Sequence, residues 1–213
     1  MPNCSPNLAA EGWHLTAHLL PRASRLSPHM ALKAIIHKAS VSYSDLDRNV
    51  YRDHSLTIAR HPSETGERMM VRLLAWVLNT PDTNDEGTLE FGKDMWEPDD
   101  PCLVQNDLTG LRLHEIDLGQ PEEKRLVRAC GRSKRVSVYA YTSGSQAWWA
   151  GVAEKMSKVR NLSVWQIAPE QVNALGLLAE KSMDLQITVQ DGIITVDGGG
   201  RSVEIQLEKW AGG

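Results

Sequence analysis

Two clusters of side chains in this sequence have types and spacings that can do chemistry. In the stretch Leu103 to Leu126, reading LVQNDLTGLRLHEIDLGQPEEKRL, Asp107 falls in a turn and Asp117 near the end of a short alternating run. Period two places Leu111, Leu113, Glu115, Asp117 and Gly119 on one side and sends Ile116 and Leu118 to the other. Carboxylates gathered on one face repel unless they are protonated or bridged by a cation, so the spacing admits a Mg²⁺ or Mn²⁺ site. It equally admits a solvated polar strand end, and spacing alone leaves both readings open.

The second cluster follows at once. A helix is expected from Pro121 to Arg135, and at 100° per residue Lys124, Arg125, Arg128, Arg132 and Arg135 share one of its faces. Leu126, Ala129 and Cys130 fall on the other. Beside an acidic metal site, such a stripe suits a phosphodiester backbone. Without one it is a solvent-facing helix with acids first and bases last, as the macrodipole favours.

Other candidates carry less. Gly198, Gly199 and Gly200 make no phosphate loop, because no Gly-Lys-Ser/Thr follows. Ser143-Gly144-Ser145 lacks the frame of a nucleophile elbow. His54 and His61 have no metal-ligand partner at standard spacing, and the pair His14 and His18, four apart, is a weak metal signal.

These residues must be positioned by a mixed α+β chain. Alternation from Ile35 to Tyr43, a polar turn over Asp45 to Asn49 and a run through Leu56 and Ile58 predict a hairpin. Pro62 to Leu78 reads as the clearest helix, capped by Ser63, with Glu64 and Glu67 in its first turn and Met69, Met70, Leu73, Leu74 and Val77 facing the core. A long acidic loop over 82–102 leads to two short strands joined at Asn106 to Gly110. After the basic helix come a strand at Val136 to Tyr141, a helix from about Ser145, a strand at Leu162 to Ile167 and a helix at Pro169 to Met183. Strands at Leu185 to Val189, Ile193 to Val196 and Val203 to Leu207 finish the chain, with Asp191-Gly192 as a hairpin turn. The middle of the chain thus has an αβββαβ-like order.

The 213 residues suit one domain, expected over 30–213, with 1–29 a disordered leader or a mis-assigned start. A formal charge of −4 predicts no strong sequence-independent grip on DNA, so any nucleic-acid contact must come from a local basic patch. Three cysteines (Cys4, Cys102, Cys130) cannot all pair and show no CxxC spacing, which argues for a reducing compartment and against structural zinc. No apolar run approaches the roughly 18 residues of a membrane span, and a cytoplasmic location is the expectation.

Several segments together resemble the YaeQ family of bacterial proteins: Met30-Ala-Leu-Lys33, Asp45-Leu-Asp-Arg48, Ala59-Arg-His-Pro-Ser-Glu-Thr65, Glu67-Arg-Met-Met70, Leu73-Leu-Ala-Trp76, Leu118-Gly-Gln-Pro121, Asn161-Leu-Ser-Val-Trp165, and Leu185-Gln with Gln190-Asp-Gly192. They are spread from Met30 to the C-terminal region. The resemblance implies a restriction-endonuclease-like α/β roll, a variant of the PD-(D/E)XK fold, with a mixed sheet and additional antiparallel strands from both ends of the chain. It also implies three metal-binding acids, which position by position are Glu67, Asp107 and Asp117, holding Mg²⁺ for phosphodiester hydrolysis. Asp107, Asp117 and Gln120 would be the catalytic set, with Gln120 polarising the water, and Lys124, Arg125, Arg128 and Arg132 would contact nucleic acid.

Two departures from that pattern stand out. The third acid is Asp117 where relatives are expected to carry Glu, and the motif's lysine position is Gly119. The implied function is a Mg²⁺-dependent nuclease or phosphodiesterase with a degenerate site. The alternative is a non-catalytic binding module for nucleic acid or a protein partner, with a link to transcription implied by the family.

Overall fold

A computed structural model describes residues 33–83 and 87–212. The expected leader at 1–29 and the His14–His18 pair lie outside the described residues.

The β-branched and aliphatic alternation at the start forms the expected hairpin, β1 (Ile35–Asp45) and β2 (Val50–Arg60), paired antiparallel over its whole length. Its turn is set by Asp45, whose Oδ1 accepts from the Arg48 backbone N–H at 2.9 Å, and by Asn49 at a φ of 55°. Helix α1 (Gly66–Asn79) begins later than the sequence predicts. Its cap is Thr65, whose hydroxyl accepts from the Arg68 N–H at 3.2 Å, and not Ser63. Seven consecutive residues, Met69 to Ala75, are buried, so α1 is covered on all sides.

The stretch expected as a long loop contains β3 (Thr88–Phe91) and a 3₁₀ turn at Asp94–Trp96. Then follow β4 (Leu103–Asn106), β5 (Arg112–Leu118), α2 (Glu123–Arg132), β6 (Arg135–Ala140), α3 (Ser145–Met156), β7 (Leu162–Gln166) and α4 (Pro169–Gly176). The chain closes on β8 (Ser182–Gln190), β9 (Ile193–Gly198), β10 (Arg201–Gln206) and an unexpected short strand, β11 (Glu208–Ala211). Asp191 and Gly192, at φ values of 52° and 75°, make the β8–β9 turn as its Asp-Gly sequence predicts.

These strands build two mixed sheets. The first runs β10-β9-β8-β1-β2, with β1 and β8 parallel. The second runs β11-β7-β6-β5-β4-β3; β5, β6 and β7 are parallel, joined by crossovers through α2 and α3. One core joins inner residues of both sheets to α1 and α4, including Val41, Ile58, Leu74, Leu103, Ile116, Leu175 and Ile205. A smaller core of Leu126, Ala129, Val136, Val138, Met156, Leu162 and Val164 fills the far side of the second sheet, under α2 and α3. Strand β5 is therefore buried on both faces, and its even and odd positions meet different helices. Among the described residues no helix is long and apolar enough to cross a membrane.

Candidate functional site

Strand β5 carries the acids, and α2 sits across their face. Glu115 and Asp117 do share one side, as period two predicts, with Ile116 and Leu118 in the opposite core. Both acids are almost wholly buried, at 1% and 4% exposure. Their repulsion is relieved by arginines. Arg125 on α2 clamps Asp117 in a bidentate pair, Nε to Oδ2 at 2.8 Å and Nη2 to Oδ1 at 2.7 Å. Two turns further along, Arg132 does the same to Glu115 at 2.6 and 2.7 Å, with help from Arg112 at 2.8 Å and the Ser133 hydroxyl at 2.6 Å. Burial pushes the Glu115 carboxyl up, but the hydrogen bonds from Arg132, Ser133 and Arg112 outweigh it and hold the group below its ordinary value. Hydrogen bonding to Asp117 raises the Arg125 guanidinium well above its ordinary range.

Arg125 also ties the helix to the segment before β4. It donates to the carbonyl oxygens of Pro98 and Asp100, the latter at 2.7 Å. On the other side of that segment Arg68 bridges Glu64 at 2.8 Å and Asp94 at 2.5 Å, and reaches the Cys102 sulfur at 3.1 Å. Arg72 holds the second Glu64 oxygen at 2.7 Å. Burial pushes the Cys102 thiol far up, so it stays protonated and unreactive. The space among His61, Glu64, Arg72, Asp94 and Trp96 is about 10 Å³, room for one water.

The three acids proposed as metal ligands are placed apart. Asp107 caps the β4–β5 turn, where its Oδ1 accepts from the Thr109 hydroxyl at 2.7 Å, the Thr109 N–H at 2.8 Å and the Leu111 N–H at 2.9 Å. Those bonds, Thr109's first, lower its pKa. The turn and Asp117 lie at opposite ends of β5, roughly 17 Å apart at about 3.4 Å per residue. Antiparallel pairing of Leu103 with Ile116 shows why: the residues facing Asp117 precede β4, whereas Asp107 follows it. Glu67 lies at the contact of α1 with α4, where a Cβ on Gly176 would meet its Cγ at 2.6 Å. Among the described residues no three His, Cys, Asp or Glu side chains come together in a way that could hold a metal ion. The donor set Glu67, Asp107 and Asp117 does not fit a Mg²⁺ ion as placed.

Gln120 is exposed and lies against Gly144 at the start of α3, where an added Cβ would come within 3.0 Å of its Nε2. Gly119, where the resemblance would put a lysine, has a φ of +84°. A lysine there would be strained by about 1–2 kcal/mol, which gives its absence a backbone reason. Of the four residues expected on nucleic acid, Arg125 and Arg132 are bound to buried acids, while Lys124 and Arg128 face outward. Among the described residues Arg128 bonds only Asp99, at 3.0 Å; that pair joins two exposed side chains and is worth little.

Sequence reasoning passed over Glu64, Arg68, Asp94 and Cys102. The signal was present in part: Glu64, Arg68 and Arg72 recur every four residues, which stacks them along one side of a helix.

His114, next to Glu115, faces the other way and is buried, with Nε2 2.8 Å from the Ser137 hydroxyl and Nδ1 unpartnered. Burial, then the Arg135 charge, lowers its pKa to about 3. A histidine held neutral in the fold takes up its proton only on unfolding. Between the unfolded value of about 6.5 and the folded value of about 3, falling pH therefore removes stability, by up to about 1.4 kcal/mol per pH unit. His114→Gln should flatten that part of a stability–pH curve measured by urea denaturation, and an unchanged slope would refute the assignment.

Comparison with known proteins places these features in context. Residues 30–207 match the family described as YaeQ protein. The chain is 42% identical to the Uncharacterized protein YaeQ of Escherichia coli (strain K12) over 183 residues, covering 85% of this chain and 98% of that one. The Salmonella typhi protein of the same description is 43% identical over the same shares. The crystal structure of YaeQ protein from Xanthomonas axonopodis pv. citri superposes with a TM-score of 0.80 at 38% identity, covering 85% of this chain and all of that one. That from Pseudomonas syringae gives 0.75 at 31% identity, covering 84% and 97%.

Proposed function

The chain belongs to the YaeQ family, and from that premise we propose that it is a non-catalytic module, built on a restriction-endonuclease-like core, that binds the phosphodiester backbone of nucleic acid along α2. The observation that carries this reading is the Arg125–Asp117 clamp. Both oxygens of the motif's acid already accept from a guanidinium, so the positive charge that a nuclease would take from a metal is supplied by the chain itself. The restriction-endonuclease-like part of the proposal draws on the order α1, β3, β4, β5, α2, β6 and on the parallel β5–β6 crossover.

What supports backbone binding is the outer face of α2 and the start of β6. Lys124, Arg128 and Lys134 are exposed there, and Gly131 leaves open space beside them. An open stretch of that surface is lined by Lys124, Val127 and Arg128 together with two acids. Its two acids, Glu122 and Glu123, sit at the helix start, and Glu123 is paired with Lys155. Lysine and arginine side chains in such a row neutralise phosphates without reading bases.

The test is fluorescence anisotropy of a labelled DNA duplex in EDTA over a salt series. The expected result is metal-independent binding whose affinity falls linearly with the logarithm of salt. Lys124→Glu with Arg128→Glu should weaken binding on the order of tenfold or more and reduce the salt slope by about two, roughly one per lost phosphate contact. No binding at low salt, or equal binding by the variant, overturns the proposal.

A further inference from the structure

At the opposite edge of the second sheet from β3, β11 leaves one side of its backbone without a strand partner among the described residues. Beside it lies a cleft of about 590 Å³ between α3, β7 and β11, lined by Trp149, Met156, Val159, Arg160, Leu162 and Trp210 among others. The two indoles are only partly buried although they pack on the smaller core. Tryptophan with one face on a core and one toward a cleft is the usual anchor of an interface. Among the described residues Arg160 carries the only formal charge in the lining; it is exposed, and it has no ion pair or hydrogen bond with any of them. Among the described residues no carboxylate lines the cleft.

We propose that this edge docks an extended segment of a protein partner, which pairs with β11, inserts a bulky apolar side chain between Trp149 and Trp210, and brings a carboxylate to Arg160. The occupant follows from the chemistry of the edge. An unpaired strand accepts another strand through backbone hydrogen bonds, and pockets along it choose alternate side chains. In an extended peptide, residues i and i+2 lie on one face. An aromatic or aliphatic residue and an acid two positions apart therefore reach the indoles and the guanidinium together. Charge complementarity selects the acid, because a cationic peptide would meet Arg160 unpaired. The surface is separate from α2, and it stands or falls independently of nucleic-acid binding.

The experiment uses the full chain with a blocked hexapeptide that carries phenylalanine and glutamate two positions apart, followed by tryptophan fluorescence and by amide NMR. The expected result is saturable binding with shifts concentrated in residues 208–212 and in the Trp149 and Trp210 indoles. Lysine in place of the peptide's glutamate, or Arg160→Glu in the protein, should each weaken binding on the order of tenfold, and glutamate-to-lysine with Arg160→Glu together should recover part of it. Arg160 is exposed, so its variant tests the site without disturbing a core. No binding, shifts confined elsewhere, or indifference to both charge reversals overturns the proposal. So does a concentration-dependent dimer in which β11 amides are protected from exchange, since a second copy would then be the occupant.

Discussion

Glu64→Ala is expected to lower folding stability by about 3–5 kcal/mol. The Glu64 side chain is 1% exposed and lies between two guanidiniums, those of Arg68 and Arg72, whose side chains are 15% and 6% exposed. Removing the carboxylate leaves two like charges facing each other with little water to screen them. Arg68 keeps Asp94 at 2.5 Å, but Arg72 is left with a long bond to the Ala59 carbonyl at 3.3 Å and its position over the Phe91 ring. An exposed ion pair would cost at most about 1 kcal/mol, so urea denaturation separates the two cases without ambiguity. Replacing Glu64 and Arg72 together by leucine and methionine should return much of the loss, because deleting both partners of a buried pair removes the desolvation cost with the attraction. A loss under about 1 kcal/mol for Glu64→Ala would mean that the network is far wetter than its burial implies.

Arg125→Ala is the second large effect. It leaves Asp117, 5% exposed at the side chain, as an uncompensated carboxylate, and it frees the carbonyl oxygens of Pro98 and Asp100. The expected cost is about 3 kcal/mol, somewhat below a fully buried pair because Arg125 is itself 21% exposed. Arg125→Lys should not rescue it. A single ammonium cannot match the fork that meets both Asp117 oxygens while reaching two carbonyls. Adding Asp117→Asn to Arg125→Ala should recover stability, and the coupling from that double-variant cycle measures the clamp itself.

Much of the architecture was legible because burial and period coincide. The β1–β2 hairpin, the Asp191-Gly192 turn and the amphipathic α2 follow from alternation, turn chemistry and helical spacing. Period two also placed Glu115 and Asp117 correctly on one side of β5. The sequence was silent on β3 and β11, each four residues long, too short to establish a period. The turn at Asp107 was legible too, but how far that turn lies from Asp117 was not. Register decides that question, and register depends on which residues of β4 oppose β5. The arginine stripe was visible, but its division into buried clamps at Arg125 and Arg132 and outward cations at Lys124 and Arg128 was not. That division requires knowing that the sheet face beneath α2 carries carboxylates.

The arginine clamps set a balance of charge unlike that of a metal site. In a metal site, carboxylates are left facing one another until a cation arrives. Here Asp94, Asp117, Glu64 and Glu115 each meet a guanidinium within 2.8 Å.

Isothermal titration of Mn²⁺ into the native protein tests that claim most directly. The account predicts no saturable heat and no cleavage of a DNA duplex at any Mn²⁺ concentration used. Stoichiometric Mn²⁺ binding that disappears in Asp117→Asn would contradict it, because Arg125 would then have to yield its carboxylate to a metal.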